Sequence, residues 1–356
     1  MFEEPYRSIL QSIEPVDKRL LPAAQAKIDG KTKPVGSLGR LEDLAIQVGI
    51  IQRNLNPQIN RKFLLVFAGD HGVVQEGVSA YPQEVTAQMV KNFLAGGAAI
   101  NVLCRHHGIH MRVVDMGVNA EIADHPLLLK KKVGKGTRNF LLAPAMTAAE
   151  AAAALQNGME VFLSQHNSAA IDIVGLGDMG IGNTTAAAAI ICAVTGTSPA
   201  EATGRGTGID DNMLQHKREV IEKALQFHRP HSKDGLDVLQ KVGGYEIAGI
   251  AGAALAAAAR RVAVVLDGLI STAAGLIAYL IEPDIGGYLI AGHRSLEPAQ
   301  WAALSYLHLE PVVDLNMRLG EGTGAALAIN IAEAATKIMR EMASFEEAGV
   351  STKTEA

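Results

Sequence analysis

What most restricts the fold of this 356-residue chain is an alternation. Short β-favouring runs at residues 63–68, 110–115, 171–176, 262–267 and 288–291 are separated by longer alanine-rich runs of helical character. Parallel strands cannot be joined by a tight turn; they need a long crossover, which a helix supplies. The alternation therefore predicts an α/β fold, with a mostly parallel sheet flanked by helices at 84–104, 147–163, 185–194, 213–227, 245–259, 269–280, 298–307 and 324–342. Four strand runs end in small or acidic residues: Gly69-Asp70-His71-Gly72, Asp115-Met116-Gly117, Gly175-Leu176-Gly177-Asp178 and Asp267-Gly268. Ligands of open parallel sheets sit beyond the carboxyl ends of the strands, so these endings should line one crevice.

Residues 1–60 carry helical stretches (5–14, 17–30, 40–54) and no strand signal. They are expected to form one part of a small helical domain, completed by residues 323–350, around an α/β domain at 61–322. Residues 351–356 read as a disordered tail.

Composition removes several function classes. The net charge is −5 and the only basic block is Lys130-Lys131-Lys132, so no nucleic-acid surface is indicated. Cys104 and Cys192 stand alone in apolar stretches, which argues against a disulfide framework or thiolate metal site. In the apolar region 247–281, Arg260, Arg261 and Asp267 leave pieces of 13, 5 and 14 residues. These are shorter than the roughly 18–20 that a membrane span needs. The acidic start, MFEEPYRSIL, is unlike a secretory signal, so a cytoplasmic protein is expected.

Gly175, Gly177 and Gly180 are spaced as G-x-G-x-x-G after an apolar run. A dinucleotide-binding loop would open its helix at the third glycine and hold a ribose with an acid about 20 residues on. Here Gly182 follows, Asn183-Thr184-Thr185 offer N-cap chemistry before a helix opening near Ala186, and no acid occurs between Asp178 and Glu201. The loop still suits an anion, since glycines let backbone N–H groups approach and a helix start adds positive dipole. A second anion candidate is Gly204-Arg205-Gly206-Thr207-Gly208, with Lys217 and Arg218 in reach of a phosphate. A flexible surface turn is the bland alternative there.

Glu321 lies among glycines in Met317-Arg318-Leu319-Gly320-Glu321-Gly322-Thr323-Gly324. Partial desolvation would raise its pKa and suit it to accept a proton near neutrality; capping of nearby helix-start N–H groups is the alternative. Asp178 could pair with Glu321 as a second catalytic carboxylate, for acid/base work or to stabilise a cation, or fold back onto the N–H groups of its own turn. Asp70-His71-Gly72 and His293 lack the spacing of a metal motif and read as structural hydrogen bonding.

Taken in order, Lys33-Pro34-Val35-Gly36-Ser37-Leu38-Gly39-Arg40-Leu41-Glu42, Asp70-His71-Gly72 with Glu76-Gly77-Val78-Ser79-Ala80-Tyr81-Pro82, Gly180-Ile181-Gly182-Asn183-Thr184-Thr185, and Arg318 to Gly324 resemble the nicotinate-nucleotide:dimethylbenzimidazole phosphoribosyltransferases of cobalamin lower-ligand assembly. The resemblance runs from about residue 20 to 345. It implies a homodimer with a large Rossmann-like α/β domain and a small helical domain. It also implies transfer of phosphoribose from nicotinate mononucleotide to 5,6-dimethylbenzimidazole, giving α-ribazole 5′-phosphate and nicotinate. The family's general base falls on Glu321. Nicotinate leaves from a positively charged pyridinium, so neither metal nor cofactor is called for.

By the same resemblance the loop at Gly177, Met179 and Gly180 should hold the nicotinate carboxylate or ribose. The phosphate should sit at Gly204, Gly206, Thr207 and Gly208 with Lys217, reaching in from either subunit. Tyr81, Gln88, Met89 and Leu319 are expected to enclose the flat azole. One departure stands out: the family usually reads G-E-M-G-I-G-N-T-T, whereas this chain has Asp178 in place of the glutamate. The missing methylene retracts the carboxylate by about 1.5 Å. That departure keeps a slow or non-catalytic azole-binding relative open as an alternative; a nicotinamide-dinucleotide oxidoreductase is the other, resting on the glycine spacing alone.

Overall fold

The computed structural model describes residues 4–206 and 208–351. Seven strands, all paired in parallel, form one sheet. They are β1 (Lys62–Gly69), β2 (His110–Gly117), β3 (Leu128–Lys130), β4 (Ile173–Met179), β5 (Ala263–Leu266), β6 (Leu289–His293) and β7 (Pro311–Val313), in the spatial order β3-β2-β1-β4-β5-β6-β7. The order reverses between β1 and β4, the switch point at which a crevice opens in folds of this class.

The five strand runs read from sequence are β1, β2, β4, β5 and β6. The third of these, β4, begins at Ile173, two residues later than expected, and continues to Met179, so Asp178 lies on the strand itself. The two strands without a sequence signal, β3 and β7, are three-residue edge strands, and β7 begins with the proline that an edge tolerates.

Helix expectations need three corrections. The run 84–104 is two helices, Glu84–Ala95 and Ala99–His107, parted at Gly96, whose φ of +82° ends the first. The helix after β4 opens at Asn183 with Gly182 as N-cap at φ +92°, three residues before Ala186. Asn183 and Thr184 are therefore helical residues whose side chains are directed elsewhere. A further helix, Gly235–Val242, had no counterpart in the sequence reading.

The Ala/Gly-rich region 247–281 is explained by close packing. Helix Tyr245–Ala259 lies on helix Ala148–Ala169 so closely that a Cβ on Gly158 would fall 2.0 Å from the Gly249 carbonyl oxygen, and one on Gly252 would fall 1.9 Å from that of Leu155. Among the described residues no helix is long and apolar enough to cross a membrane. Helix Thr323–Glu341 packs on β4, β5 and β6 and also on helix Arg40–Ile51, so it joins the sheet to the N-terminal helices. Its end is tied to the N-terminal segment by Thr32 N–H to the Ala343 carbonyl (3.0 Å) and Lys31 Nζ to the Met342 carbonyl (2.6 Å).

Candidate active site

A cavity of about 370 Å³ opens beyond the carboxyl ends of β4, β5 and β6. One wall is apolar: Tyr81, then Val85 and Met89 one turn apart on helix Glu84–Ala95, faced by Leu319 and by Leu269 and Ile270 of the helix after β5. The rest is polar, from Asp178, Asn183, Thr184, His293, Ser295, Glu297, Arg318 and Glu321.

The two loop carboxylates meet there. Asp178 is 6% exposed; Oδ2 accepts from Asn183 Nδ2 at 2.8 Å, and Oδ1 has no partner among the described residues. Burial pushes its pKa well above the ordinary carboxylate range, and Asp267, Glu246 and Glu321 push it further, against the Asn183 hydrogen bond. Glu321 is 5% exposed, with Oε2 unpartnered among the described residues. Burial raises its pKa too, opposed by the Ile100 backbone N–H and reinforced by Asp267. The helix-start N–H groups that follow Glu321 in sequence are bonded by Asp267 rather than by Glu321. Gly177 lets the two loops approach: a Cβ there would lie 2.4 Å from the Gly322 nitrogen and 2.5 Å from the Glu321 carbonyl carbon.

Beneath Glu321 lies Asp267, fully buried at the end of β5. It accepts from the backbone N–H groups of Gly322 (2.9 Å), Gly324 (2.6 Å) and Ala325 (3.0 Å). It is therefore the cap that helix Thr323–Glu341 lacks on its own N-cap residue, Gly322. The sequence reading noted Asp267 as a strand ending but gave it no role. His71 Nε2 and Glu246 Oε1 are 2.6 Å apart and fully buried, in line with the structural reading of Asp70-His71-Gly72, whereas neither ring nitrogen of His293 has a hydrogen-bond partner among the described residues, so the structural bonding expected there is not found. Among the described residues no cluster of three or more His, Cys, Asp or Glu could hold a metal ion.

A smaller cavity of about 30 Å³ adjoins the first, lined by the Gly180 to Thr184 helix start, Gly206 and Lys217. Lys217 is 1% exposed and donates to Thr184 Oγ1 at 2.8 Å. Burial lowers its pKa to about 8, against the pull of Glu297. No side chain caps the helix start at Gly182, which leaves the dipole end facing this cavity.

Of the residues singled out from sequence, Tyr81, Met89, Asp178, Met179, Gly180, Gly206, Leu319 and Glu321 line the main cavity. Lys217 lines the smaller one, from the same chain as Glu321. Gln88 is exposed on helix Glu84–Ala95 and lines neither cavity. Gly177 lies beneath the Glu321 loop, and Gly204 packs on Glu297. Gly208, at φ +108°, turns the chain back with its N–H on the Arg205 carbonyl oxygen. Thr207 lies outside the described residues. Sequence reasoning did not anticipate Ser295 or Glu297, because a small polar residue and a lone acid before a proline carry no motif, and it read Thr184 only as part of the helix start in the Gly180 to Thr185 motif.

The chain matches a family model described as Phosphoribosyltransferase over residues 13–350. It is 54% identical over 343 residues to the nicotinate-nucleotide–dimethylbenzimidazole phosphoribosyltransferase of Roseiflexus sp. (strain RS-1), covering 96% of this chain and 97% of that protein. The enzyme of the same name from Geobacter sp. (strain M21) is 51% identical over 349 residues, covering 98% and 100%. The crystal structure of the Thermus thermophilus enzyme of that name superposes with a TM-score of 0.90 at 43% identity, covering 95% of this chain and all of that one.

Proposed function

The chain belongs to the nicotinate-nucleotide–dimethylbenzimidazole phosphoribosyltransferase family, and from that premise we propose that it transfers phosphoribose from nicotinate mononucleotide to 5,6-dimethylbenzimidazole with Glu321 as general base. The observation that carries the reading is the Glu321 carboxylate itself: buried, raised in pKa and, among the described residues, unpartnered at one oxygen, on a residue that lines a cavity of substrate size.

One azole nitrogen attacks C1′ of the ribose. As that bond forms the ring gains positive charge, unless the other nitrogen gives up its proton. A carboxylate at that N–H takes the proton and keeps the product neutral. The C1′–N bond to the pyridinium breaks at the same time, its electron pair returning to the ring, and nicotinate departs. Attack on the face opposite the leaving group inverts C1′, turning the β-nucleotide into the α-riboside. The flat azole fits between Tyr81, Met89 and Leu319, where contact is apolar. We assign the phosphate to the junction of the main and smaller cavities, a reading supported by the buried ammonium and the helix start that converge there.

We further infer a homodimer, supported by Leu296, Trp301, Leu315 and Leu319 standing 55–60% exposed on the segments bordering the cavity. The division into a helical unit (1–60 with 323–350) and an α/β unit (61–322) is likewise our reading, supported by the ties between residues 31–32 and 342–343. The test of function is direct. Incubation with both substrates should release nicotinate and give α-ribazole 5′-phosphate, identified by the anomeric proton in NMR. A β-configured product would overturn single-step inversion, and absence of product would overturn the activity.

A further inference from the structure

We infer that Glu297 and Arg318 act together as a clamp on residue 206 that positions the donor mononucleotide, a role resting on the phosphoribosyl-transfer reading above. Glu297 follows β6 and is 5% exposed. Its Oε1 accepts from the Gly206 N–H at 2.8 Å. Arg318, three residues before Glu321, donates from Nη1 to the Gly206 carbonyl oxygen, also at 2.8 Å. Residue 206 is thus held at both backbone poles by side chains from two other loops.

Three features show that the clamp is built. Gly206 has a φ of +51°, a left-handed conformation that external bonds help to hold. A Cβ on Gly204 would lie 2.1 Å from Glu297 Oε2 and 2.8 Å from Pro298 Cδ, so this loop accommodates the carboxylate only because residue 204 has no side chain. Glu297 also directly precedes Pro298, the N-cap residue of the next helix. Helix Ala299–Leu307 has no side-chain cap, and the carboxylate reaches across to residue 206 instead.

The backbone so held borders the phosphate end. A Cβ on Gly206 would come 3.1 Å from Thr184 Oγ1 and 3.6 Å from Lys217 Nζ. Glu297 acts on Lys217 as well, favouring its charged form against burial. Arg318 belongs to the loop that carries Glu321. The clamp therefore links the grip on the donor's phosphate to the placement of the base, and both should loosen when either arm is cut.

The experiment compares wild type, Glu297→Gln, Glu297→Ala, Arg318→Leu, the Ala/Leu double variant and Gly204→Ala by steady-state kinetics in each substrate and by thermal midpoint. Glu297→Ala should raise the KM for nicotinate mononucleotide by about tenfold or more, the scale of one charge-assisted hydrogen bond, and lower kcat, while the azole KM stays within about twofold. Glu297→Gln, which keeps an oxygen acceptor without the charge, should fall between. Gly204→Ala, which pushes the carboxylate off the loop, should resemble Glu297→Ala. The double variant should lose less than the product of the single losses, because either cut opens the clamp. Multiplicative losses, equal rises in both KM values, or a fall in thermal midpoint with unchanged donor KM would overturn the inference. If Glu297→Ala does not fold, Glu297→Gln and Gly204→Ala decide it by the same criteria. A wild type that forms no product would instead sink the phosphoribosyl-transfer reading.

Discussion

The two glycine-rich loops bring one carboxylate each to the cavity by opposite means. Asp178 is carried on β4, where pairing of Gly177 with Val66 and of Met179 with Ala68 fixes the backbone on both sides of it. Glu321 has no strand beneath it. Its φ is +64°, between Gly320 at +82° and Gly322 at +92°, and a non-glycine residue held there carries roughly 1–3 kcal/mol of strain. The three N–H bonds to Asp267 offset that strain from below. One acid is held by the sheet and the other by a buried acid. Their protons differ as well. Asp178 is pushed up by burial and three neighbouring carboxylates, Glu321 by burial and Asp267 only, with Ile100 pulling back. Both carboxyls are therefore held above the ordinary carboxylate range, Asp178 with more acidic neighbours than Glu321.

The largest effect should come from removing the proposed base. Glu321→Gln keeps shape but cannot take the azole proton, so turnover should fall by about 10²- to 10⁴-fold with mononucleotide affinity nearly unchanged. Turnover within about threefold of wild type would take Glu321 out of that role and erase the proposed difference between the loops.

Lys217 comes next. Lys217→Ala should weaken nicotinate mononucleotide by about 10- to 100-fold, as expected for a lost charge-assisted contact, and leave the azole unaffected. The pH dependence follows from its pKa of about 8, below the usual lysine value of 10.5. Above about pH 8 the ammonium of the free enzyme loses its charge, so kcat/KM for the mononucleotide should decline there. Its acid limb should lie above the ordinary carboxylate range, because Glu321 must ionise. The stability effect of Lys217 follows from the same shift. Between about 8 and 10.5 the unfolded chain binds more protons at this residue than the folded one, so its contribution rises with pH. Lys217→Met should remove the basic limb and that rise together; a limb that persists unchanged would assign it to another group.

The sheet was legible because crossovers and apolar runs repeat along the chain, whereas β3 and β7 were not, since three-residue edge strands bury too little to leave a pattern. Glu321 and Asp178 could be found among glycines because flanking glycines mark where backbone must bend or approach. Asp267 and Glu297 could not be assigned. Their partners lie 55 and 91 residues away in sequence, Gly322 for the first and Gly206 for the second, and only the folded sheet brings them together. The misplaced opening of the helix after β4 has a related cause. Asn183 and Thr184 look like caps, but their side chains serve Asp178 and Lys217.

A smaller effect tests the contact between the loops. Gly177→Ala would place a Cβ 2.4 Å from the Gly322 nitrogen, so the Glu321 loop must shift. Such overpacking costs about 1–3 kcal/mol of stability, and a displaced base should lower turnover by about tenfold or more. Gly175→Ala is the control on the same strand. Its Cβ would meet only side-chain atoms, Ile329 Cδ1 at 3.0 Å and Ala325 Cβ and Leu64 Cδ1 at 3.2 Å. It should cost some stability and spare turnover. Equal loss of turnover in both variants would mean that sheet strain, not approach of the loops, limits the site.

The smallest effect is expected at Asp178, and its sign tells most about the shorter side chain. Oδ1 is buried and has no partner among the described residues, while Oδ2 is spent on Asn183 and lies 3.3 Å from where a Cβ of Gly320 would be. If a carboxyl group at this position touches the reacting nucleotide, Asp178→Glu should extend its reach by about 1.5 Å and raise kcat by a few-fold, with little change in azole affinity. If Asp178 serves mainly to fix Asn183 and the helix start, the longer chain gains nothing. It must then fit a buried group beside the Glu321 loop, and the thermal midpoint should fall with turnover level or lower. Steady-state turnover at saturating mononucleotide, read beside the thermal midpoint, separates the two. A Glu form that folds as well as wild type yet turns over no faster would leave the strand-borne acid as a positioning group and Glu321 as the one carboxylate that handles a substrate proton.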